Sequence, residues 1–299
     1  MPELPEVETV RRSLEARIVG CSVTGVIVRR REVIATPSDP EGGFSRQRPA
    51  KRRRPKRVAK PDLLVGRSIE SVRRRGKQLA IVTDSGHAVL IHLGMTGELM
   101  APGPGERLRA ADHCHVLWTL RAQDGQPAGR LVFRDPRRFG GIWTLPTPNA
   151  LAARWDELGP DGLTVTGAEL AARLGRSARS LKAGLLDQTA VAGVGNIYAD
   201  ESLFDARLAP ANPCKRLSAQ EWDSLASSIR RILSRAVSLG GSTIRDYRAP
   251  DGSTGKAAAR HQVYGRAGLP CPACDQRLIS TTLAQRTTVW CPGCQTANP

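Results

Sequence analysis

The sequence predicts an α+β multidomain chain: an N-terminal antiparallel β-sandwich with a flanking helix, a helical region, and a C-terminal β-hairpin that carries four cysteines. Three observations lead to this prediction. Short β-branched runs separated by turns occupy the first half of the chain, a pattern typical of antiparallel sandwiches. Apolar residues at helical spacing replace these runs in the second half. Two closely spaced cysteine pairs lie near the C-terminus.

The flanking helix is predicted from Val7, Val10, Leu14 and Ile18, which recur at helical spacing before Gly20. The strand-like runs that follow are Val23–Val28, Ser68–Arg75, Gln78–Thr83, Ala88–Leu93, Cys114–Leu120, Leu131–Phe133 and Ile142–Leu145. Together these elements define an N-terminal domain over residues 1–145.

A basic segment interrupts the sandwich at Thr36–Lys60, which shows no apolar periodicity. Residues 46–60 hold nine Lys and Arg in fifteen positions, so the segment is predicted to be a loop. Its functional interpretation is an additional electrostatic contact to nucleic acid, and its alternative is a solvated insertion.

The pattern becomes helical after a linker predicted for residues 146–160. Helices are expected at Ala168–Leu174, through Leu181–Leu186, from the turn at 193–196 to about Phe204, and after the capping box of Ser218 and Glu221. The turn, Gly193-Val194-Gly195-Asn196, has no strand before it, so it is no dinucleotide-binding motif. As a turn before a helix, it offers backbone N–H groups to a phosphate.

The net charge of the chain indicates a polyanionic partner. Its 45 Lys and Arg against 28 Asp and Glu give +17, and nucleic acid is the partner that such an excess favours. A basic surface used only for solubility is the alternative. No apolar stretch is long enough to span a membrane, and the acidic residues at the start of the chain are unlike a signal peptide.

Four of the seven cysteines have the spacing of a zinc site. In Cys271-x2-Cys274-x16-Cys291-x2-Cys294, each pair can supply two thiolates to one structural ion. Two disulfides or a redox pair are the alternatives. Cys21, Cys114 and Cys214 stand apart, and each is predicted to be a small buried apolar residue. An odd number of cysteines favours a reducing compartment, and we expect a cytoplasmic location.

The residues after Met1 have the chemistry of an amine catalyst. If Met1 is removed, Pro2 presents a secondary amine, and an α-amino group has an ordinary pKa of about 7.7–8.0. Such an amine can attack a sugar aldehyde carbon and form an iminium that draws electrons for elimination. The carboxyl group of Glu3 can move the protons that this reaction needs. The alternative is that Pro2 only gives the first helix a rigid start.

Several motifs extend across the chain beside these residues. They are PELPEVETVRR from Pro2, Arg75-Gly76-Lys77, His92-Leu93-Gly94-Met95-Thr96-Gly97, Asp135-Pro136-Arg137-Arg138-Phe139-Gly140, Leu185-Leu186-Asp187-Gln188, VAGVGNIYADESLF from Val191, and the four-cysteine pattern. In all of them the chain resembles the bacterial formamidopyrimidine-DNA glycosylases, the Fpg/MutM family. The resemblance covers nearly the whole length apart from the insertion at Thr36–Lys60.

The resemblance implies an organisation and a set of functional residues. It implies an N-terminal catalytic domain, a helix–two-turn–helix DNA-binding region at 161–248, a lesion-capping loop at 249–265 and a zinc finger at 266–299, with DNA in the cleft between the domains. The implied catalytic residues are Pro2 as the Schiff-base nucleophile, Glu3, Lys77 and Arg286. The implied nucleic-acid-binding residues are Met95, Arg137 and Phe139, which fill the space left by an everted base, and His113, Asn196 and Arg245.

The chain departs from the family pattern at two places, and the second of them bears on lesion preference. The chain has His113-Cys114-His115 where the family usually has His-Asp-His, which weakens the assignment of His113. The segment Gly255–His261 lacks the aromatic pair that the family commonly carries in the loop over the flipped base.

The resemblance therefore predicts a monomeric glycosylase that removes oxidised or ring-opened purines from duplex DNA and cleaves abasic sites by β,δ-elimination. One alternative is an enzyme of the same fold that prefers oxidised pyrimidines. The other is a zinc-finger protein that binds damaged DNA without catalysis, against which the intact Pro2, Glu3 and Lys77 argue.

Overall fold

A computed structural model describes four ranges of the chain: 2–36, 62–108, 110–242 and 255–295. The chain forms two compact units. The first unit contains Pro2, the described residues of Glu6–Asp156, Ser242 and Gly255. The second unit contains Glu3–Pro5, Glu157–Gly241 and the described residues of Lys256–Pro299. Beyond Thr36, the predicted basic insertion lies outside the described residues.

The first unit is built mainly of strands. Its elements are α1 (Leu4–Ile18, whose first two residues belong to the second unit), β1 (Ser22–Val28), β2 (Ile34–Ala35), β3 (Ile69–Arg75), β4 (Gln78–Thr83), β5 (Ala88–His92), β6 (Glu98–Met100), β7 (Cys114–Arg121), β8 (Pro127–Arg134), β9 (Gly141–Leu145) and α2 (Pro148–Asp156). They form one sheet in the order β1-β7-β8-β6 and another in the order β2-β9-β5-β4-β3.

The predicted sandwich is confirmed, with one difference in strand direction. Both sheets and α1 contribute to one apolar core, where Val10 and Leu14 lie in the same cluster as Trp118, Phe133 and Ile81. The strands pair antiparallel except β2, which runs parallel to β9. The strand β2 was not predicted, because two residues are too few to form a recognisable strand pattern in the sequence.

The second unit is helical and ends in a hairpin. Its elements are α3 (Gly167–Leu174), α4 (Leu181–Leu186), α5 (Asn196–Asp205), α6 (Ala219–Ser238), β10 (Ile279–Leu283) and β11 (Arg286–Trp290). Capping boxes at Thr166 with Glu169 and at Ser218 with Glu221 start α3 and α6. The apolar core combines residues of all four helices and also encloses Leu4.

The predicted linker at 146–160 contains the helix α2, and the division between the two units falls after Asp156. Leu151 of α2 is buried in a small cluster with Val82 and Leu90 of the first unit. No helix among the described residues has the length and apolar character needed to cross a bilayer.

Candidate functional site

Glu3 is held at the start of α5 in the second unit. Its Oε2 accepts the Gly195 N–H at 2.8 Å and the Tyr198 N–H at 3.4 Å, and its Oε1 accepts the Ile197 N–H at 2.9 Å. The side chain is 2% exposed. A helix N-terminus favours a negative group through its unpaired N–H groups and its dipole. This arrangement fixes both the position and the orientation of the Glu3 carboxyl group.

The Gly-rich turn before α5 is shaped to admit Glu3. A Cβ atom on Gly195 would lie 2.4 Å from Cδ of Glu3, and one on Gly193 would lie 2.4 Å from Cδ1 of Leu4. Gln188 supports the turn by accepting the Gly193 N–H at 3.0 Å and donating to the Val194 oxygen at 2.9 Å. The turn is predicted to offer backbone N–H groups to a phosphate. Of its four residues, Gly195 donates its N–H to Glu3 and Gly193 donates its N–H to Gln188.

A buried ion pair lies beneath the same turn. Lys182 of α4 and Asp200 of α5 are 0% and 1% exposed and are in direct contact. Lys182 also donates to the backbone oxygen of Asn196 at 3.0 Å, and Asp200 accepts the Val289 N–H of β11 at 3.1 Å. Burial lowers the pKa of Lys182 and raises the pKa of Asp200 to about 6, against the opposing charge of Lys182.

Glu201, the next residue of α5, binds the chain that leads into the hairpin. It is 4% exposed and accepts the N–H groups of Gln262, Val263 and Tyr264, with shortest distances of 2.9, 3.0 and 2.9 Å. One carboxylate therefore holds three consecutive amides. Consecutive residues of one helix thus hold two separate segments, β11 through Asp200 and residues 262–264 through Glu201.

Arg286 and Asn196 are connected through the hairpin. The turn between β10 and β11 consists of Ala284 and Gln285, with φ of +49° and +58°, as a two-residue hairpin turn requires. This turn places exposed Arg286 at the first position of β11. The Asn196 amide donates to the backbone oxygen of Thr287 at 3.2 Å. The two residues predicted from separate motifs are therefore neighbours in the second unit.

The four cysteines form a cluster that fits a tetrahedral metal ion. Their sulfur atoms all lie within 4.8 Å of one another. Sγ of Cys271 is 3.8 Å from Sγ of Cys294, and Sγ of Cys274 is 3.5 Å from Sγ of Cys291. Thiolates at about 2.3 Å from one zinc ion are about 3.8 Å apart, whereas a disulfide measures about 2.0 Å. The geometry therefore supports the predicted zinc site and excludes the two disulfides.

Pro2 and Lys77 belong to the first unit, and both are buried. Lys77 follows Gly76, whose φ is +55°, in the turn between β3 and β4. The next residue, Gln78, is opposite His92 on β5. His92 is densely surrounded by protein, and this desolvation, followed by the charge of Lys77, lowers the pKa of His92 to about 4. With this pKa, His92 is neutral at physiological pH.

An ion-pair cluster connects α1 to the turn that carries Lys77. Glu8 accepts hydrogen bonds from Arg11, Arg12 and Arg74 at 3.0, 2.9 and 3.0 Å. Burial alone would raise the pKa of Glu8, but these hydrogen bonds outweigh it and hold that pKa below its ordinary value. Arg74 also donates to the Gly76 oxygen at 3.1 Å. The repeated acidic and basic residues of α1 were the sequence signal for this cluster.

Met95, Arg137 and Phe139 occupy two loops of the first unit. Met95 is 41% exposed, and the Arg137 guanidinium lies 4.7 Å from the centre of the Phe139 ring, within the range of a cation–π contact. Exposed apolar and aromatic groups of this kind can enter a base stack. Met95 is therefore not a buried core residue.

The remaining predicted residues differ in how far the structure describes them. His113 is exposed with a φ of +55°, and its Nε2 lies 3.3 Å from Oδ2 of Asp112. Cys114 is buried, as are Cys21 and Cys214, which confirms the prediction for the isolated cysteines. Arg245 lies outside the described residues.

Sequence reasoning missed Lys182, Asp200, Glu201 and Asp135 as structural centres. The first three stand within apolar helical segments, where a charged residue signals a specific partner. Asp135 is 0% exposed and begins the motif that contains Arg137 and Phe139. The sequence indicates only through these apolar neighbours that the charged side chains are buried.

Comparison with known families matches both halves of the chain. Residues 1–142 match the family described as the formamidopyrimidine-DNA glycosylase N-terminal domain, and residues 158–248 match the formamidopyrimidine-DNA glycosylase H2TH domain. A formamidopyrimidine-DNA glycosylase from Stenotrophomonas maltophilia is 42% identical over 299 residues, which cover 99% of this chain and 100% of the relative.

Two solved structures of the Lactococcus lactis Fpg protein are similar over nearly the whole fold. One is a mutant form in complex with Fapy-dG containing DNA, with a TM-score of 0.81 and 32% identity, covering 99% of this chain and 100% of that one. The other is a complex with abasic-site DNA, with a TM-score of 0.80 and 32% identity, covering 98% and 99%.

Proposed function

The chain belongs to the formamidopyrimidine-DNA glycosylase family, and from this membership we propose that it excises ring-opened and oxidised purines from duplex DNA and then cleaves the strand. Formamidopyrimidine and 8-oxoguanine are the bases that it removes, and the abasic site is its second substrate. The complexes of the Lactococcus lactis relative with Fapy-dG and with abasic-site DNA support both steps.

Pro2 acts as the nucleophile once Met1 is removed. Its nitrogen attacks C1′ of the damaged nucleotide, the glycosidic C–N bond breaks, and the base leaves with a proton. Ring opening of the sugar gives an iminium between Pro2 and C1′. The iminium accepts electrons while the 2′ proton is lost and the 3′ C–O bond breaks, and a second elimination breaks the 5′ C–O bond. Water then releases the enzyme.

The position of Glu3 is the single observation that carries this mechanism. Glu3 is covalently next to Pro2, and three backbone N–H groups of residues 195–198 fix its carboxyl group. A proton-transfer group must be held in place before the reaction to contribute its full effect. We assign to Glu3 the proton transfers at the sugar that accompany ring opening and elimination.

Basic residues bind the phosphates and favour elimination. Lys77 is buried, and its charge contributes to the lowered pKa of His92; we assign to Lys77 a role in binding phosphate and in elimination. Arg286 projects from the hairpin, and Asn196, Arg245 and His113 are proposed as further DNA contacts. Bound zinc supplies a structural cross-link between Cys271, Cys274, Cys291 and Cys294, and with four protein ligands it takes no part in the chemistry.

Met95, Arg137 and Phe139 replace the everted nucleotide. Extrusion of a base costs a few kcal/mol, and apolar side chains inserted in the stack offset part of this cost. Arg137 faces the unpaired opposite base, while Phe139 enters the stack. We propose that the enzyme works as a monomer on chromosomal DNA in the cytoplasm, supported by its net charge of +17 and by its DNA-bound relatives.

Borohydride trapping tests the nucleophile. Reduction of the iminium on an abasic or formamidopyrimidine duplex is expected to give a covalent adduct that maps to Pro2. An N-terminal tag that cannot be removed should abolish the adduct, while the same tag at the C-terminus should not. An adduct that persists with the N-terminal tag and maps to a lysine contradicts the Pro2 assignment.

A panel of matched duplexes, each with one lesion opposite cytosine, separates this function from the alternatives. We expect excision of formamidopyrimidine and cleavage at abasic sites, with weaker excision of 8-oxoguanine, because Gly255–His261 lacks the aromatic pair that would cap the base. Preference for oxidised pyrimidines would support the same-fold alternative. Binding without any nicking would support a non-catalytic protein.

A further inference from the structure

We propose that Thr96 and Asp135 are positioning residues that join the Met95 loop and the Phe139 loop into one rigid wedge for base eversion. This inference rests on the function proposed above. Neither residue is among those expected to contact DNA or the sugar. Both lie in the first unit, and both are buried, Thr96 at 8% and Asp135 at 0% exposure.

Asp135 is a buried hydrogen-bond centre at the end of β8. Its Oδ1 accepts the Thr96 hydroxyl at 2.6 Å, and its Oδ2 accepts the Gly140 N–H at 2.7 Å. Its backbone oxygen lies 2.8 Å from Nε2 of His115, which must donate to it. The carboxylate therefore closes its own loop, from residue 135 to 140, and reaches across to the Met95 loop.

Thr96 also accepts a hydrogen bond from the loop that contains Arg137 and Phe139. While its hydroxyl donates to Asp135, the same oxygen accepts the Arg137 N–H at 3.3 Å. Thr96 follows Met95 directly, and Arg137 is two residues before Phe139. A single hydroxyl thus connects the loop of one wedge residue to the loop of the other two.

The two loops are also in close backbone contact at glycines. A Cβ atom on Gly94 would lie 2.4 Å from the backbone carbon of Phe139, and one on Gly140 would lie 2.5 Å from the His92 oxygen. Gly94 N–H donates to Nδ1 of His92 at 3.0 Å. These contacts leave the loops little freedom to move independently while the hydrogen bonds are intact.

Two of the three wedge residues, Met95 and Arg137, lie largely outside the core, and Phe139 is half-buried. Arg137 is exposed, Met95 is 41% exposed, and Arg138 between Arg137 and Phe139 has a φ of +55°. A non-glycine residue in this conformation is strained and needs support from its surroundings. Burial of a carboxylate among neutral donors is also costly. Both features are consistent with a network retained to fix the wedge before DNA binds.

Rigidity matters because the wedge must offset the cost of unstacking. A loop that has to become ordered on binding loses part of the interaction free energy to that ordering. Loss of the Thr96 hydroxyl should therefore weaken the steps that need eversion of a stacked, paired nucleotide. Cleavage at a preformed abasic site should suffer less, because no base has to be extracted there.

The test compares Thr96→Val, which removes the hydroxyl at constant shape, with Thr96→Ser, which keeps it. Single-turnover rates are measured on a formamidopyrimidine duplex and on an abasic duplex with the same protein sample, so that misfolded protein cancels in the ratio. We expect the ratio of excision to abasic cleavage to fall about tenfold in Thr96→Val, comparable to the loss of a hydrogen bond to a charged group. Thr96→Ser should restore the ratio.

A double-mutant cycle with Phe139→Ala shows whether Thr96 acts through the wedge. If it does, Thr96→Val should reduce excision by less than about twofold further in the Phe139→Ala background. Three outcomes would overturn the inference. The effects of Thr96→Val and Phe139→Ala on excision could multiply. Alternatively, Thr96→Val could leave the ratio of excision to abasic cleavage unchanged, or reduce both activities equally. A wild-type protein that neither excises nor nicks would instead overturn the proposed function.

Discussion

The β-sandwich of the first unit and the zinc module of the second (residues 262–295) are stabilised by different interactions. Among the described residues, the sandwich core contains twenty-five buried residues, most of them from the two sheets and α1. The corresponding cluster of the zinc module contains five, two of which are metal-ligand cysteines. In place of apolar burial, the module has the four-cysteine cluster and the carboxylates of α5, with Asp200 bound to Val289 and Glu201 to residues 262–264.

This difference shows two ways of holding functional residues on one chain. In the sandwich, the loops that carry Met95, Arg137 and Phe139 are joined by hydrogen bonds to the buried Asp135 carboxylate and belong to a unit with a large apolar core. In the zinc module, Arg286 depends on a segment too small to bury much apolar surface, so metal and buried charge replace it. The zinc module should therefore respond more strongly than the sandwich to loss of its metal or of the buried charges that hold it.

Removal of the metal should have the largest effect. Metal analysis is expected to find one zinc per chain, and Cys291→Ser should lose the metal and DNA binding while the sandwich stays folded. Metal binding contributes about 10–16 kcal/mol in isolated zinc fingers, more than any single contact here. Calorimetry with a DNA-binding assay checks this, and Cys21→Ser is the matched control. Freshly purified protein without bound metal would contradict the assignment.

Disruption of the buried ion pair should have the next largest effect. Lys182→Met leaves Asp200 buried without its partner and should destabilise the second unit by about 3–5 kcal/mol. Adding Asp200→Asn removes the unpaired charge but keeps an acceptor for the Val289 N–H, so it should recover part of the loss. Denaturant unfolding of both variants measures these changes. Equal stability of Lys182→Met and the wild type would show that α5 does not depend on this charge.

The smallest effect is the pH dependence that His92 gives to the stability of the sandwich. The folded-state pKa of His92 is lowered to about 4, whereas an unfolded histidine titrates near 6.5. The unfolded chain therefore binds more protons between these values, so the contribution of His92 to stability is present above pH 6.5 and is lost as pH falls toward 4. Its slope is at most about 1.4 kcal/mol per pH unit.

His92→Asn removes this titration and keeps an acceptor for the Gly94 N–H. Unfolding of the first unit should then depend less on pH between 6.5 and 4 than it does in the wild type. Burial also lowers the pKa of His115, so some dependence of the same sign should remain in the variant. If the free energy of unfolding has the same slope against pH in both proteins, His92 does not cause the pH dependence.

Local patterns in the sequence determined much of the architecture. Runs of β-branched residues and the turns between them predicted the strands, and β4 (Gln78–Thr83) has the predicted bounds. The capping box at Ser218 marked the start of α6. Cysteine spacing identified the four residues whose sulfur atoms lie within 4.8 Å of one another. These features are predictable because each depends on residues close together in the chain or on a ligand chemistry that few residue types supply.

Only the tertiary structure decided how the buried polar groups are paired. The sequence marked both Glu3 and the Gly193–Asn196 turn, but nothing in it showed that the Glu3 carboxyl group accepts the Gly195 N–H of that turn. The same holds for Thr96 with Asp135 and for Lys182 with Asp200. A hydrogen bond depends on the distance and direction between two groups, and for groups far apart in sequence the packing of the whole domain sets both.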